Sequence, residues 1–220
     1  MRFFQNLFRT FFDFIFPPEC FSCQKENFWI CPQCVKKIEI NYQKTHINGF
    51  KKVFILTNYR NKLVAKLVKK LKFKFCHRIL DDLEPFFEKY FSLLKITIPK
   101  KAILCPVPLN FWRKNFRGFN QANLIAQKIS KIFGNEIKKI LIRKKNTIPQ
   151  SSLKNPHDRY QNVVDAFKIS KKKSKNINTN TEIFLIDDVG TTFSTINECR
   201  KTLMKNGFNH VSVILLAKSF

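Results

Sequence analysis

Two stretches of this sequence bring chemically capable side chains together. The first is Cys20-x-x-Cys23, seven residues, then Cys31-x-x-Cys34. Two residues between thiolates let one tight turn aim both sulfurs at one ion, and two such turns close a tetrahedral zinc site. With Cys20, Cys23, Cys31 and Cys34 all engaged, no position remains for water, so the predicted Zn²⁺ is structural. Pro32 suits a turn inside the second pair. The spacing between pairs is shorter than usual, which predicts a compact ribbon. A redox dithiol is the competing reading of a single C-x-x-C pair.

The second stretch runs from Ile183 to Thr195. A short apolar run ends in two carboxylates, Asp187 and Asp188. Gly190, Thr191, Thr192, Phe193, Ser194 and Thr195 then lead into a helix. Ligands of open α/β sheets sit beyond the carboxyl ends of the strands. The free N–H groups of a helix N-terminus cradle phosphate, and the hydroxyls here add donors. Carboxylates repel phosphate but accept hydrogen bonds from sugar hydroxyls. Diol at the acids and phosphate at the loop together describe a ribose 5-phosphate. An ordinary strand–loop–helix junction with caps is the plainer alternative.

The rest of the chain supplies a scaffold of alternating strands and helices. Lys52 to Thr57, Ala102 to Cys105, Ile137 to Ile142, Ile183 to Ile186 and Val211 to Ala217 read as strands. Leu63, Val64, Leu67, Val68 and Leu71 mark one face of a helix whose other face is lysine. Asp81 to Leu94, Gln121 to Phe133 and Ser194 to Asn206 also read as helices, and Gly207 is placed to end the last. This alternation predicts an α/β fold with a parallel sheet. The expected organisation is an amphipathic helix over 1–16, a zinc ribbon over 17–45 and an α/β domain over 46–220. Residues 170–181 are polar and low in complexity, and are expected to form a flexible loop. Cys76, Cys105 and Cys199 sit in apolar surroundings and read as buried.

Composition adds a partner argument. The chain has 41 Lys and Arg against 15 Asp and Glu, a net charge of +26. Such a surplus attracts nucleic acid, anionic lipid or phosphorylated small molecules. Abundant Lys, Asn, Ile and Phe also fit an AT-rich genome, which accounts for part of the charge. No transmembrane segment is seen. The apolar stretch over 1–16 is broken by Arg2, Gln5, Asn6, Arg9 and Asp13, unlike a signal peptide. It reads as a docked amphipathic helix or a membrane-surface helix. The expected location is the cytoplasm, where thiols stay reduced.

The loop after Ile186 resembles the phosphoribosyl-pyrophosphate (PRPP) motif of type I phosphoribosyltransferases: an apolar strand, two acids, then T-T-G-x-T. The chain more widely resembles the ComF/GntX family. The matching residues are Phe16-Pro17-Pro18 before Cys20, Tyr59, Leu71-Lys72-Phe73, Pro106 to Leu109, and Arg117-Gly118-Phe119-Asn120-Gln121. Gln150, Leu153, Arg159, Asn162, Val163, Ala166 and Phe167 continue the series. The resemblance implies a type I phosphoribosyltransferase-like parallel sheet flanked by helices, with a small N-terminal zinc ribbon. It implies Asp187 and Asp188 as the catalytic, ribose-holding acids and Gly190 to Thr195 as the phosphate loop. PRPP would come with Mg²⁺. Arg117 suits pyrophosphate by its planar guanidinium, or it braces loop to helix together with Asn120 and Gln121. Arg159 reads as a surface or interdomain residue. One position departs: the motif glycine is Phe193. Glycine there permits close phosphate approach and unusual backbone angles, so Phe193 predicts a weakened or reshaped loop.

Two functions follow from the resemblance. One is phosphoribosyl transfer from PRPP, through orientation and electrostatic support of the departing pyrophosphate. The other is a non-catalytic module in natural competence that handles single-stranded DNA or docks a competence helicase. The charge and aromatic content favour the latter.

Overall fold

The computed structural model describes residues 17–72, 78–110, 115–116, 118–145 and 155–219. Its centre is a sheet of five parallel strands in the order β1-β7-β6-β2-β3. These are β1 (Val53–Asn58), β2 (Ile103–Pro106), β3 (Glu136–Ile137), β6 (Ile183–Gly190) and β7 (Val211–Lys218). A separate antiparallel pair joins β4 (Leu141–Arg143) to β5 (Phe167–Ile169).

The inner strands are near-continuous apolar runs because both their faces are covered. Side chains alternate between the faces. Leu104, Phe184, Ile186, Ile214 and Leu216 point into one core. Cys105, Ile183, Leu185, Val213 and Leu215 point into the other. The first core is closed by α2 (Lys62–Lys70), α3 (Ile79–Asp82), α4 (Glu84–Leu93) and α5 (Gln121–Phe133). The second is closed by α8 (Ser194–Met204) and the β4–β5 pair, with α6 (Pro156–Val163) lying between β4 and β5 in the chain.

Local sequence explains the helix ends. Asn61 caps α2 by accepting from the N–H groups of Leu63 and Val64, as short polar side chains do at N-caps. Gly134 ends α5 in the left-handed region at φ 76°, where a Cβ would be costly. Pro85 sits in the first turn of α4, where its missing N–H does no harm.

The ribbon carries one short helix, α1 (Pro32–Lys36), and a β-bridge between Glu19 and Glu26. It is not a free appendage. Ile30, Cys31, Cys34 and Val35 share one core with Leu67, Val68 and Leu71 of α2 and its C-cap. Among the described residues, no helix is long and apolar enough to cross a membrane.

The expected α/β class, with a parallel sheet flanked by helices, holds. Three boundaries differ. The expected strand over Ile137 to Ile142 is two pieces: β3 stays on the sheet, while β4 leaves it to pair with β5. The expected helix over Asp81 to Leu94 divides into α3 and α4. Within 170–181 the chain forms a single helical turn, α7 (Lys171–Ser174), and buries Ile177. The helix expected over 1–16 lies outside the described residues.

Candidate functional sites

The four clustered cysteines do converge. Their sulfurs all lie within 4.8 Å of one another, and Cys23 Sγ is 3.6 Å from Cys31 Sγ. Four thiolates around one zinc at 2.3 Å stand about 3.8 Å apart, so the cluster already has a ligand-like shape. Cys20, Cys31 and Cys34 are buried. The backbone N–H of Cys31 donates to Cys20 Sγ at 3.4 Å. Burial opposes ionisation of Cys20, but backbone N–H groups of Cys31, Ser22 and Cys23 outweigh it and bring its pKa to about 6. Cys34 behaves oppositely: Ser22 favours its thiolate, yet burial and the neighbouring thiols push it up to about 12. A soft, crowded, partly ionised set of this kind can hold a metal ion such as zinc.

The second site lies where β6 outruns its neighbour. β2 ends at Pro106, opposite Ile186, whereas β6 continues to Gly190 beside β7. Asp187 and Asp188 therefore stand past the end of β2, at the mouth of a crevice. Here a cavity of about 370 Å³ is lined by Asp187, Asp188, Gly190, Thr191, Phe193, Ser194 and Thr195. Thr192 is not in the lining; its hydroxyl is 2.7 Å from that of Ser194. Across the cavity stand Tyr59, Lys72, Asn120, Arg143 and Arg159. The structure thus collects most of the expected loop and adds three cations. Arg117 lies outside the described residues.

The acids are held by their own strand. Asp187 Oδ1 accepts from the N–H of Asp188 at 2.9 Å, and Asp188 Oδ1 from that of Val189 at 2.8 Å. Burial, reinforced by the charge of Asp188, raises the Asp187 pKa to about 8, against the pull of its backbone hydrogen bond and of Arg143. Lys72 Nζ lies 4.0 Å from Asp188 Oδ2. Burial and the nearby Asp188 also raise the pKa of Tyr59. Arg143 reaches the cavity from β4, its guanidinium 5.2 Å above the Phe167 ring.

Phe193 adopts the backbone that the glycine pattern calls for, at φ 57° and ψ 7°. A residue with a side chain pays roughly 1–2 kcal/mol for this region. Its ring turns inward over Gly190. A Cβ on Gly190 would overlap the Phe193 ring and approach Leu215 Cδ1 to 2.7 Å. The expected conflict at Phe193 is therefore resolved by exchange: the aromatic takes the left-handed position, and Gly190 leaves room for its ring. The loop thus keeps a left-handed residue immediately before the helix.

Asn120 and Gln121 act as braces. Asn120 donates to Val107 O at 2.9 Å and accepts from the N–H of Ala122. Gln121 Nε2 donates to Leu71 O at 3.2 Å. Arg143 was not marked by sequence reasoning; it lies in no motif, and only the departure of β4 from the sheet delivers it. Tyr59 showed in sequence only as a family match, whereas Lys72 showed both as a family match and as one of the lysines on a helix face, a solvated face or one that steers phosphate.

Two curated relatives bear on these sites. Competence protein F of Haemophilus influenzae is 31% identical over 216 residues, spanning 91% of this chain and 90% of that protein. Competence protein ComFC of Bacillus subtilis is 26% identical over 147 residues, spanning 67% of this chain and 56% of that protein. No family model matches the chain.

Proposed function

The chain belongs to the competence protein F family, and from that premise we propose that it serves DNA uptake by binding PRPP or a related phosphoribosyl ligand. The observation that carries the ligand is one cavity holding an acid pair, a hydroxyl-bearing helix N-terminus and three cations. Asp187 and Asp188 accept hydrogen bonds from the ribose hydroxyls. Thr191, Ser194 and Thr195, with the N–H groups of the α8 turn, hold the 5-phosphate. Lys72, Arg143 and Arg159 face the remaining negative charge; Arg117, outside the described residues, stays a candidate for the pyrophosphate on its sequence motif alone. Bound as its Mg²⁺ complex, the ligand brings a divalent cation beside the acids.

In this reading residues 46–220 are the ligand-binding domain, and the ribbon over 17–45 carries a structural zinc ion through Cys20, Cys23, Cys31 and Cys34. Thiols kept free for a metal fit the reducing cytoplasm. The same site can support transfer of the phosphoribosyl group, with the acids orienting the sugar and the cations steadying the departing pyrophosphate.

Calorimetry of PRPP·Mg²⁺ with the zinc-loaded protein tests the reading. Saturable one-to-one binding is expected, weakened at least tenfold by Asp188→Asn. Absence of binding sinks it. The charge of +26 favours a second reading, a module for single-stranded DNA or a helicase partner. That reading predicts strand affinity that falls steeply with salt and ignores Asp188→Asn.

A further inference from the structure

The ribbon and the cavity meet the same short stretch of chain. Phe21, between Cys20 and Ser22, gives its carbonyl to Lys66 Nζ at 3.2 Å. Lys66 and Lys70 also stand over its ring, 5.2 and 5.9 Å from the centroid. Both lysines are on α2. On the other side, the N–H groups of Trp29 and Ile30, just before Cys31, donate to Asp82 Oδ2 at 2.8 and 3.2 Å. Asp82 closes α3. In sequence, Lys72 falls between these two attachments: six residues after Lys66 and ten before Asp82. At the same point Gln121 grips Leu71 O, and Lys72 Nζ lies 4.0 Å from Asp188 Oδ2 in the cavity lining.

We propose that the metal-bound ribbon positions Lys72, so that occupancy of the four-cysteine cluster sets how tightly the cavity holds its anionic ligand. This rests on the phosphoribosyl reading of the cavity. The physical basis is linkage. The metal fixes the backbone at Phe21 and at Trp29–Ile30, because each flanks a ligating cysteine. Those carbonyl and N–H groups clamp α2 and α3. Without the metal the clamp loosens, and Lys72 must be ordered at the expense of ligand binding. Asp82 and Lys66 are positioning residues in this scheme; Lys72 alone meets the ligand.

The test uses the full chain with hydrogen exchange and PRPP·Mg²⁺ calorimetry. Asp82→Ala and Lys66→Met leave all four cysteines in place. Each is expected to retain one zinc per chain, speed amide exchange across α2, and weaken PRPP·Mg²⁺ binding about 5–20-fold, within the usual range of coupling between sites. In a Lys72→Met background, Asp82→Ala is expected to cost no further affinity, because the effect travels through Lys72. Unchanged affinity in both single variants overturns the proposal. So does an equal loss with and without Lys72. If the zinc-loaded protein binds no PRPP·Mg²⁺, the ligand reading itself fails. Exchange across α2 before and after chelation then decides: faster exchange supports the clamp, and unchanged exchange overturns it.

Discussion

The ribbon and the cavity each crowd like groups together, and they relieve the crowding differently. The ribbon packs four thiols within 4.8 Å. Cys20 is drawn toward thiolate while Cys34 is driven away from it, and the four sulfurs are close enough together to take a metal ion from outside. The cavity packs two carboxylates side by side, but it holds its own remedies. Asp187 keeps its proton to about pH 8, Lys72 sits beside Asp188, and Arg143 adds its field from β4. One site has the shape to take an ion; the other is already neutralised from within. The ribbon should therefore depend on its metal for stability, and the cavity should depend on its acids for affinity rather than for folding.

The sharpest attempt to break this contrast is Cys31→Ser. It removes a buried ligand, and loss of a structural metal belongs among the largest single-site effects. The expected outcome is loss of bound zinc and a fall in melting temperature of about 10 °C or more, read by metal analysis and calorimetry. An unaltered melting temperature would mean that the ribbon stands on its apolar contacts alone.

Asp188→Asn should do the reverse, sparing the melting temperature but weakening PRPP·Mg²⁺ binding about 10–100-fold, as charged hydrogen bonds are worth roughly 1.5–3 kcal/mol. Gly190→Ala probes the exchanged pair. Overlap with the Phe193 ring should destabilise the protein by about 1–3 kcal/mol. Phe193→Gly should rescue much of that loss in the double variant, since contacting residues couple by about 0.5–3 kcal/mol. Additive effects in denaturant melts would refute the exchange.

The last test is of pH dependence. Asp187 has a folded pKa near 8, above its value near 4 in an unfolded chain. Between those values the folded state holds a proton that the unfolded state has lost, so stability falls as pH rises from about 4 to 8. Asp187→Asn should flatten this slope. Ligand hydroxyls prefer the ionised acid, so PRPP·Mg²⁺ affinity should strengthen from pH 6 to 8.5 in the parent protein and not in the variant.

What could be read from sequence follows how local each feature is. The cysteine cluster and the Asp187–Thr195 loop each fall within fifteen residues, so spacing alone brought their members together. The turn at Phe193 was harder. Its type argued against the left-handed region, and the compensation lies in a packing relation with Gly190 that no propensity encodes. Arg143 was invisible because its place depends on β4 leaving the sheet: Lys138 and Lys139 interrupt the apolar run over Ile137 to Ile142, but nothing in it says where β4 then goes. The sheet itself was legible, since strand and helix periods alternate cleanly. The docking of the ribbon was not: Asp82 and Lys66 look like ordinary surface charges until the fold sets them against Trp29 and Phe21.

The strand order has a consequence for how the protein is made. β7 lies between β1 and β6, and it leaves the ribosome after both. About 150 residues separate the end of β1 from the start of β7, which at typical synthesis speeds is roughly 8–30 s of translation. Through that interval β1, and the ribbon behind it, have no sheet to join. The half of the molecule that is written first is the half that must wait, with a bare strand edge, for the half that is written last.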